Sequence, residues 1–251
     1  MTGHLAHILR HPIKSIGYEE IRSAPLTRGR ALPFDRVFAL SHEGAKFAHP
    51  AVEWAKKMNF VRGVAAPALM AVQARTHADG TIELTHPDLW HLRFDPTRPE
   101  DQVKLIEWLR PLWPESRPAP RALERLEGQA FTDMKEPYIS LLSTASLEAL
   151  GQAAGVAVSR HRFRGNLWVA GWEPWAEREL LGKRLRIGEA VLEVAMPITR
   201  CRATCANPET GKEDFETLEW LEKLNGNWHF GLYATVVESG TVTRGDAVEV
   251  L

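Results

Sequence analysis

Apolar segments in this chain are short, and glycine or proline follows nearly every one. His4 to Leu9 runs into Pro12 and Gly17, Glu19 to Pro25 into Gly29, and Arg36 to Ser41 into Gly44. Segments of this length, partly alternating in polarity, read as strands. A chain of many short strands has many edges, and closing a sheet on itself is the surest way to remove them. The pattern predicts a β-rich α+β fold with barrel character. At 251 residues the chain is long enough for a substantial core.

The same reading extends along the chain. Pro67 to Thr76 and Thr81 to Leu84 flank His77-Ala78-Asp79-Gly80, whose Asp-Gly pair predicts a hairpin. Leu167 to Ala170, Leu185 to Val194, Leu232 to Val237 and a turn and strand over Val242 to Val250 continue the series. Only a few helices are expected. Pro99 to Trp113 places Val103, Ile106, Trp108, Leu109 and Leu112 at spacings that include helical ones, with Pro111 limiting its end. A second helix opens at Ser143-Thr144, with either hydroxyl available as N-cap, and stops at Gly151 or Gly155. A short third spans Asp214 to Leu224, and the proline-rich stretch Pro114 to Pro120 reads as a linker.

Several classes are excluded. No apolar run approaches the roughly 18 residues of a membrane span. The N-terminus lacks the apolar stretch of a signal peptide, so a cytoplasmic protein is expected. Two cysteines cannot build a disulfide framework or a four-cysteine zinc site. P-loop, Rossmann, zincin and α/β-hydrolase motifs are all missing. His4, His7 and His11 are loosely spaced like ligands, but on a strand His4 and His7 point to opposite faces.

The net charge of −1 conceals an uneven distribution. Residues 1–50 carry +3 and 160–206 carry +4, against −2 over 51–159 and −6 over 207–251. Two distant basic segments can converge on one anionic ligand or remain separate solvated faces.

Four stretches carry chemistry. His11-Pro12-Ile13-Lys14-Ser15-Ile16-Gly17 sets a lysine and a hydroxyl in a turn, a combination suited to phosphate. Phe34-Asp35-Arg36-Val37-Phe38 begins a strand with a charged pair, either functional or a structural ion pair. Arg160-His161-Arg162-Phe163-Arg164-Gly165-Asn166 offers forked guanidiniums and an amide. The cluster is too short, and the chain too neutral, to favour nucleic acid. In Thr199-Arg200-Cys201-Arg202-Ala203-Thr204-Cys205, two arginines flank Cys201, which puts a thiolate nucleophile or soft-metal ligand level with inert packing as a reading of this cysteine. Cys205 has no adjacent cation, and the spacing is not that of a CxxC redox pair. Asn207-Pro208-Glu209-Thr210-Gly211 closes the segment as a turn.

Taken in order, these stretches resemble the MOSC superfamily. His11-Pro12-Ile13-Lys14-Ser15 with Gly17 is similar to the family's Tyr-Pro-Val-Lys-Ser opening, and Asp35-Arg36-Val37-Phe38 to its Asp-Arg-aromatic signature. Arg162-Phe163-Arg164-Gly165-Asn166-Leu167 resembles its Arg-Phe-Arg-Pro-Asn entry, with Gly165 in place of proline. Arg200-Cys201 and the Asn-Pro-x-Thr-Gly turn resemble its cysteine loop, and Phe230-Gly231-Leu232-Tyr233 its closing strand. His49-Pro50 stands where an arginine often precedes the proline.

The resemblance implies an N-terminal β-barrel-like region over residues 1–115, followed by a MOSC β-barrel domain over 116–251 with a few helices. It implies a molybdenum cofactor (Mo-molybdopterin), with Cys201 as the catalytic thiolate on molybdenum. Lys14, Ser15, Arg36, Arg164, Asn166, Thr199, Arg200 and Tyr233 would hold the pterin and its phosphate. Ser143 and Thr144 would add a helix N-terminus to that grip. By resemblance to amidoxime-reducing components, the chain is expected to reduce small N-hydroxylated substrates. Lacking a ferredoxin-like extension, it would take electrons from a separate reductase or ferredoxin-like protein. The alternative is a cofactor carrier or sulfur-transfer protein using a cysteine persulfide, although no pyridoxal-phosphate desulfurase domain accompanies it. No nucleic acid or membrane partner is expected.

Overall fold

The computed structural model of the chain describes residues 1–126 and 128–251. The N-terminal part contains β1 (Thr2–Arg10), β2 (Glu19–Ile21), β3 (Ser23–Leu26), β4 (Phe38–His42), β5 (Gln73–Thr76), β6 (Ile82–His86), β7 (Leu89–Phe94) and helix α1 (Pro99–Leu109). Then follow β8 (Pro120–Arg125), β9 (Ile139–Ser143), α2 (Thr144–Ala154), β10 (Leu167–Ala170), β11 (Arg184–Ile187) and β12 (Ala190–Thr199). Helix α3 (Thr217–Asn225), β13 (His229–Glu238), β14 (Gly240–Thr243) and β15 (Ala247–Val250) complete the chain.

The largest sheet closes on itself. Its order is β10-β9-β13-β12-β11-β15-β1, with β1 returning to β10 and β2 appended to β1. Seven strands cannot alternate in direction all the way round a ring, so at least one neighbouring pair must be parallel. That pair is β9–β10, in register Leu141↔Leu167, while the other six are antiparallel. A parallel pair needs a crossover, and α2 supplies it. Ser143 caps α2 by accepting from the Ser146 amide at 3.2 Å, and Gly155 ends it in the left-handed region at φ 69°.

The barrel interior is packed by Leu5, Ile8, Leu141, Val169, Leu192 and Val194 among others. A second core lies between the β4–β8 ribbon, the β5-β6-β7 sheet and α1, and includes Phe38, Leu84, Phe94, Leu105 and Trp108. Burying Phe94 or Trp108 fully contributes on the order of 2–3 kcal/mol each. Strands cross between the two halves of the chain. β1 completes the barrel, β3 pairs with β14, and β8 pairs with β4.

Local readings differ from the structure at a few places. Pro67–Ala71 is a 3-10 turn and only Gln73–Thr76 of that stretch is a strand, because Pro67 starts the turn and Leu69, Met70 and Ala71 all bury. Leu185 to Val194 is a hairpin of two strands, β11 and β12, with Gly188-Glu189 between them. Glu19 to Pro25 divides between the barrel edge and the β3–β14 ribbon. Helix α3 begins at Thr217, since Asp214 is engaged instead by Arg162 and Asn207. No helix among the described residues is long and apolar enough to cross a membrane.

Candidate functional site

The turn after β1, the segment before β4, the turn before β10 and the end of β12 open onto one cleft of about 290 Å³. Lys14, Ser15 and Arg36 line it from the N-terminal segment, and Arg164 and Asn166 from the turn before β10. Thr199, Arg200, Cys201 and Tyr233 line it from β12, the cysteine loop and β13. Two basic stretches separated by more than a hundred residues thus share one wall.

Its backbone is unusual. Ser15, Arg36 and Arg164 have φ of 64°, 54° and 47°. The left-handed region is disfavoured for residues with a Cβ, and such strain concentrates at functional sites. Hydrogen bonds hold these turns in place. Arg36 N donates to His11 O (2.7 Å), and Phe131 N donates to Arg36 O (2.8 Å).

Beneath the turns lies a buried charge network. His11 N and Nδ1 both donate to Asp35 Oδ1, at 2.8 and 3.0 Å. The Arg36 guanidinium pairs with the other carboxylate oxygen of Asp35 and donates through Nη2 to Arg164 O at 2.9 Å. Burial opposes ionisation of Asp35, but Arg36 and His11 outweigh it and hold the carboxyl well below its usual range. Burial, followed by the charges of Arg164 and Arg36, pushes His11 down to about 3. A neutral His11 beside an acceptor-only carboxylate carries its proton on Nδ1. The Asp35-Arg36 pair is therefore a structural ion pair that also orients Arg36 in the cleft wall.

Lys14 is buried, and its ammonium donates to Phe131 O (2.9 Å) and Asp133 Oδ1 (2.5 Å). Burial lowers its pKa and the Asp133 charge works against that shift. An ammonium has three donors, so one remains for a ligand. Burial disfavours the charged form of Asp133, but Lys14, then Lys57 and Arg36, bring its pKa down to about 2.

Arg200 donates through Nε to Phe230 O and through Nη1 to Phe163 O, both at 2.8 Å. Its Nη2 is buried without a partner. Arg164 is similar: Nη2 reaches Ile13 O at 3.4 Å, and Nη1 is buried and unpartnered. Burial lowers both, to about 10 for Arg200 and, with the help of Arg36, to about 9 for Arg164, so both are cationic at neutral pH. A buried donor left unsatisfied costs about 1–3 kcal/mol, which an anion in the cleft recovers.

Asn166 lines the cleft and is also bonded within its wall. Its Oδ1 accepts from Ser140 N (3.1 Å) and Oγ (2.8 Å), and its Nδ2 donates to Leu9 O at 3.2 Å. These bonds tie the turn bearing Arg164 to β1 and β9. Tyr233 stacks on Tyr138, ring centroids 5.2 Å apart and planes inclined by 19°. Burial raises its phenol pKa. Cys201 is an exposed free thiol, whereas Cys205 is buried and free, with burial raising its pKa.

Ser143 and Thr144 are not among the residues lining the cleft. Ser143 is fully buried as the cap of α2, and Thr144 Oγ1 faces Val169 O at 3.4 Å. Where that helix N-terminus points was decided by the β9–β10 crossover, which local sequence does not specify. Lys57, Arg62, Asp133 and Tyr138 also line the cleft, from irregular segments or short turns with no motif, and Ser140 lines it from β9. Their only sequence signal is charge or hydroxyl content. Among the described residues no cluster of three His, Cys, Asp or Glu is placed to hold a metal ion.

A family profile described as the MOSC domain matches residues 129–249. Residues 129–249 belong to the MOSC superfamily. The chain is 30% identical over 160 residues to mitochondrial amidoxime-reducing component 1 of Mus musculus, covering 59% of the chain and 46% of that relative. It is 28% identical over 127 residues to the molybdenum cofactor sulfurase of Drosophila mojavensis, covering 50% of the chain and 16% of that relative. The chain thus spans less than half the length of these curated relatives. Among solved structures, the YUAD protein from Bacillus subtilis aligns over 100% of this chain and 96% of its own, at 13% identity and a TM-score of 0.47.

Proposed function

We propose that the cleft binds a molybdenum cofactor and that the chain is an oxidoreductase for N-hydroxylated substrates of the amidoxime or hydroxylamine type. One observation carries the reading: an exposed thiol, Cys201, shares a cleft with the unpartnered buried nitrogens Nη1 of Arg164 and Nη2 of Arg200. That donor set fits a ligand joining a phosphate to a soft metal. Lys14, Ser15, Arg36, Arg164 and Arg200 would hold the anionic end, with Thr199 and Tyr233 beside the pterin and Cys201 as the ligand of molybdenum. Asn166 acts through Arg164 by fixing its turn. Relatives named for amidoxime reduction and for cofactor sulfuration both support a molybdenum-cofactor association.

Bound there, the molybdenum centre supplies two-electron redox chemistry. The net reaction takes an N–OH group, two electrons and two protons to N–H and water. The electrons come from a separate electron-transfer protein and the protons from solvent. The chain's own residues bind and orient. Arg164 and Arg200 satisfy their buried donors on the anion, Lys14 contributes its third N–H, and Arg36 keeps Arg164 in register through its carbonyl. The division into a region over 1–115 and a domain over 116–251 is part of this proposal, with β1 and β8 exchanged across it.

The test is metal and pterin analysis of protein made in a molybdenum-sufficient host, followed by amidoxime reduction with a chemical electron donor. Stoichiometric molybdenum and pterin with turnover supports the reading. Bound molybdenum without turnover favours a cofactor carrier or persulfide-bearing sulfur-transfer protein, and absence of both removes either cofactor role.

A further inference from the structure

Nearly every cation in the cleft is held by the protein. Lys14 and Lys57 pair with Asp133, Arg36 with Asp35, and Arg162 with Asp214. Arg164 and Arg200 are anchored to main-chain carbonyls. Arg62 differs. It lines the cleft half-buried and, among the described residues, forms no side-chain hydrogen bond or ion pair within normal distances.

Its position is tied to the cysteine loop. A Cβ built on Gly63 would lie 2.8 Å from Met70 Sδ and 3.7 Å from Ala203 Cβ. The backbone immediately after Arg62 therefore lies against the loop two residues beyond Cys201. Val64, Met70 and Ala203 line the same part of the cleft and make it apolar. An uncommitted guanidinium beside an apolar wall suits a compact apolar body carrying an oxyanion, which the guanidinium fork takes in two parallel hydrogen bonds.

We infer that Arg62 is a specificity-determining residue that binds an oxyanion on the substrate, so the favoured substrates are N-hydroxylated compounds bearing a carboxylate or phosphate group. The inference rests on the reductase reading and narrows its substrate class. The wall of Arg164, Arg200 and Lys14 holds the cofactor anion, while Arg62, next to the loop of Cys201, is left for the substrate.

The experiment measures calorimetric binding of benzamidoxime and 4-carboxybenzamidoxime to the cofactor-loaded protein, with turnover followed in parallel. Wild type is expected to bind the carboxylated compound about tenfold more tightly, the scale of one charge-assisted bidentate contact. Arg62→Met removes the difference between the two compounds, and Arg62→Lys, which keeps the charge but not the fork, restores part of it. Molybdenum and pterin content of both variants is expected to match wild type. Equal binding of the two compounds by wild type, or a preference that survives in Arg62→Met, overturns the inference. Loss of molybdenum and pterin from Arg62→Met also overturns it, by assigning Arg62 to the cofactor. Selective binding of the carboxylate without turnover of either compound sustains the oxyanion site and removes the reductase reading instead.

Discussion

The guanidinium of Arg36 donates to the main-chain oxygen of Arg164, 2.9 Å away in space and 128 residues away in sequence. Both residues sit in the left-handed region, and each presents its side chain to the same cleft. The contact couples the two basic segments, so a change at one is felt at the other. Arg36→Met removes this bond together with the ion pair to the buried Asp35, and is expected to lower unfolding stability by about 3–5 kcal/mol, because a buried charge loses its partner. Denaturant unfolding checks it. The double variant with Asp35→Asn should recover part of the loss, and an additive result argues against the pairing.

The two thiols should separate cleanly in reactivity. Cys201 is exposed and Cys205 has no accessible surface. A thiol reagent applied to the native, cofactor-free chain should titrate one cysteine quickly and the second only on unfolding. Cys201→Ala abolishes the fast phase and, with cofactor, the bound molybdenum or the activity. Cys205→Ala leaves most of all three. The reverse pattern would overturn the assignment of the metal to Cys201.

Acid should destabilise this fold earlier than carboxylate chemistry alone predicts. Unfolded His11 takes a proton near its ordinary pKa of 6.5, whereas in the folded chain burial and then Arg164 and Arg36 keep it neutral down to about 3. Across that interval the unfolded state binds more protons, so His11 contributes stability fully present above 6.5 and lost as pH falls towards 3. Between about pH 7.5 and about pH 5 the expected loss is about 2 kcal/mol. Asp35 and Asp133, both depressed in the folded state, extend the decline below their ordinary 3.8. Unfolding midpoints at the two pH values test this, and His11→Gln should shrink the difference between them.

Cofactor retention should follow the unused N–H donors of the cleft, Nη1 of Arg164 and the third N–H of Lys14. Arg164→Ala and Lys14→Ala are each expected to weaken retention by about 1–3 kcal/mol, as one charged hydrogen bond is lost. The fluorescence of pterin released on dilution measures it. Ser143→Ala should affect stability through the lost helix cap, by about 1 kcal/mol, and leave retention unchanged.

The turn after the cysteine loop depends on close backbone approach. Gly211 has φ +68°, and a Cβ there would lie 2.6 Å from Ala68 Cα and 3.0 Å from its carbonyl oxygen. Gly226 has nearly the same φ, +67°, with nothing within 4 Å of such a Cβ. Gly226→Ala should cost about 1 kcal/mol for the left-handed backbone alone. Gly211→Ala should cost clearly more, because the two backbones must part. Equal thermal shifts would show that the contact is loose.

Much of the local structure was legible in the residues themselves. Asp79-Gly80 marked a hairpin, Ser143 and Gly155 marked the ends of α2, and short segments broken by glycine and proline marked a barrel-like fold. These signals are local, arising from backbone sterics and capping within a few residues. The chemical groups of the cleft were legible too, since Lys14, Arg36, Arg164, Arg200 and Cys201 stand in recognisable segments. Only the tertiary structure decided how they meet. An odd-stranded barrel forces a parallel β9–β10 pair, and that crossover sets Ser143 and Thr144 away from the cleft. The side chain of Asn166 engages Ser140 through its oxygen and Leu9 through one N–H because three elements converge on it, which leaves one amide N–H for a ligand. Arg62 and Asp133 carry no sequence mark of their positions, since what distinguishes them is which charges lie near them, and such proximity is made by contacts between residues far apart in the chain.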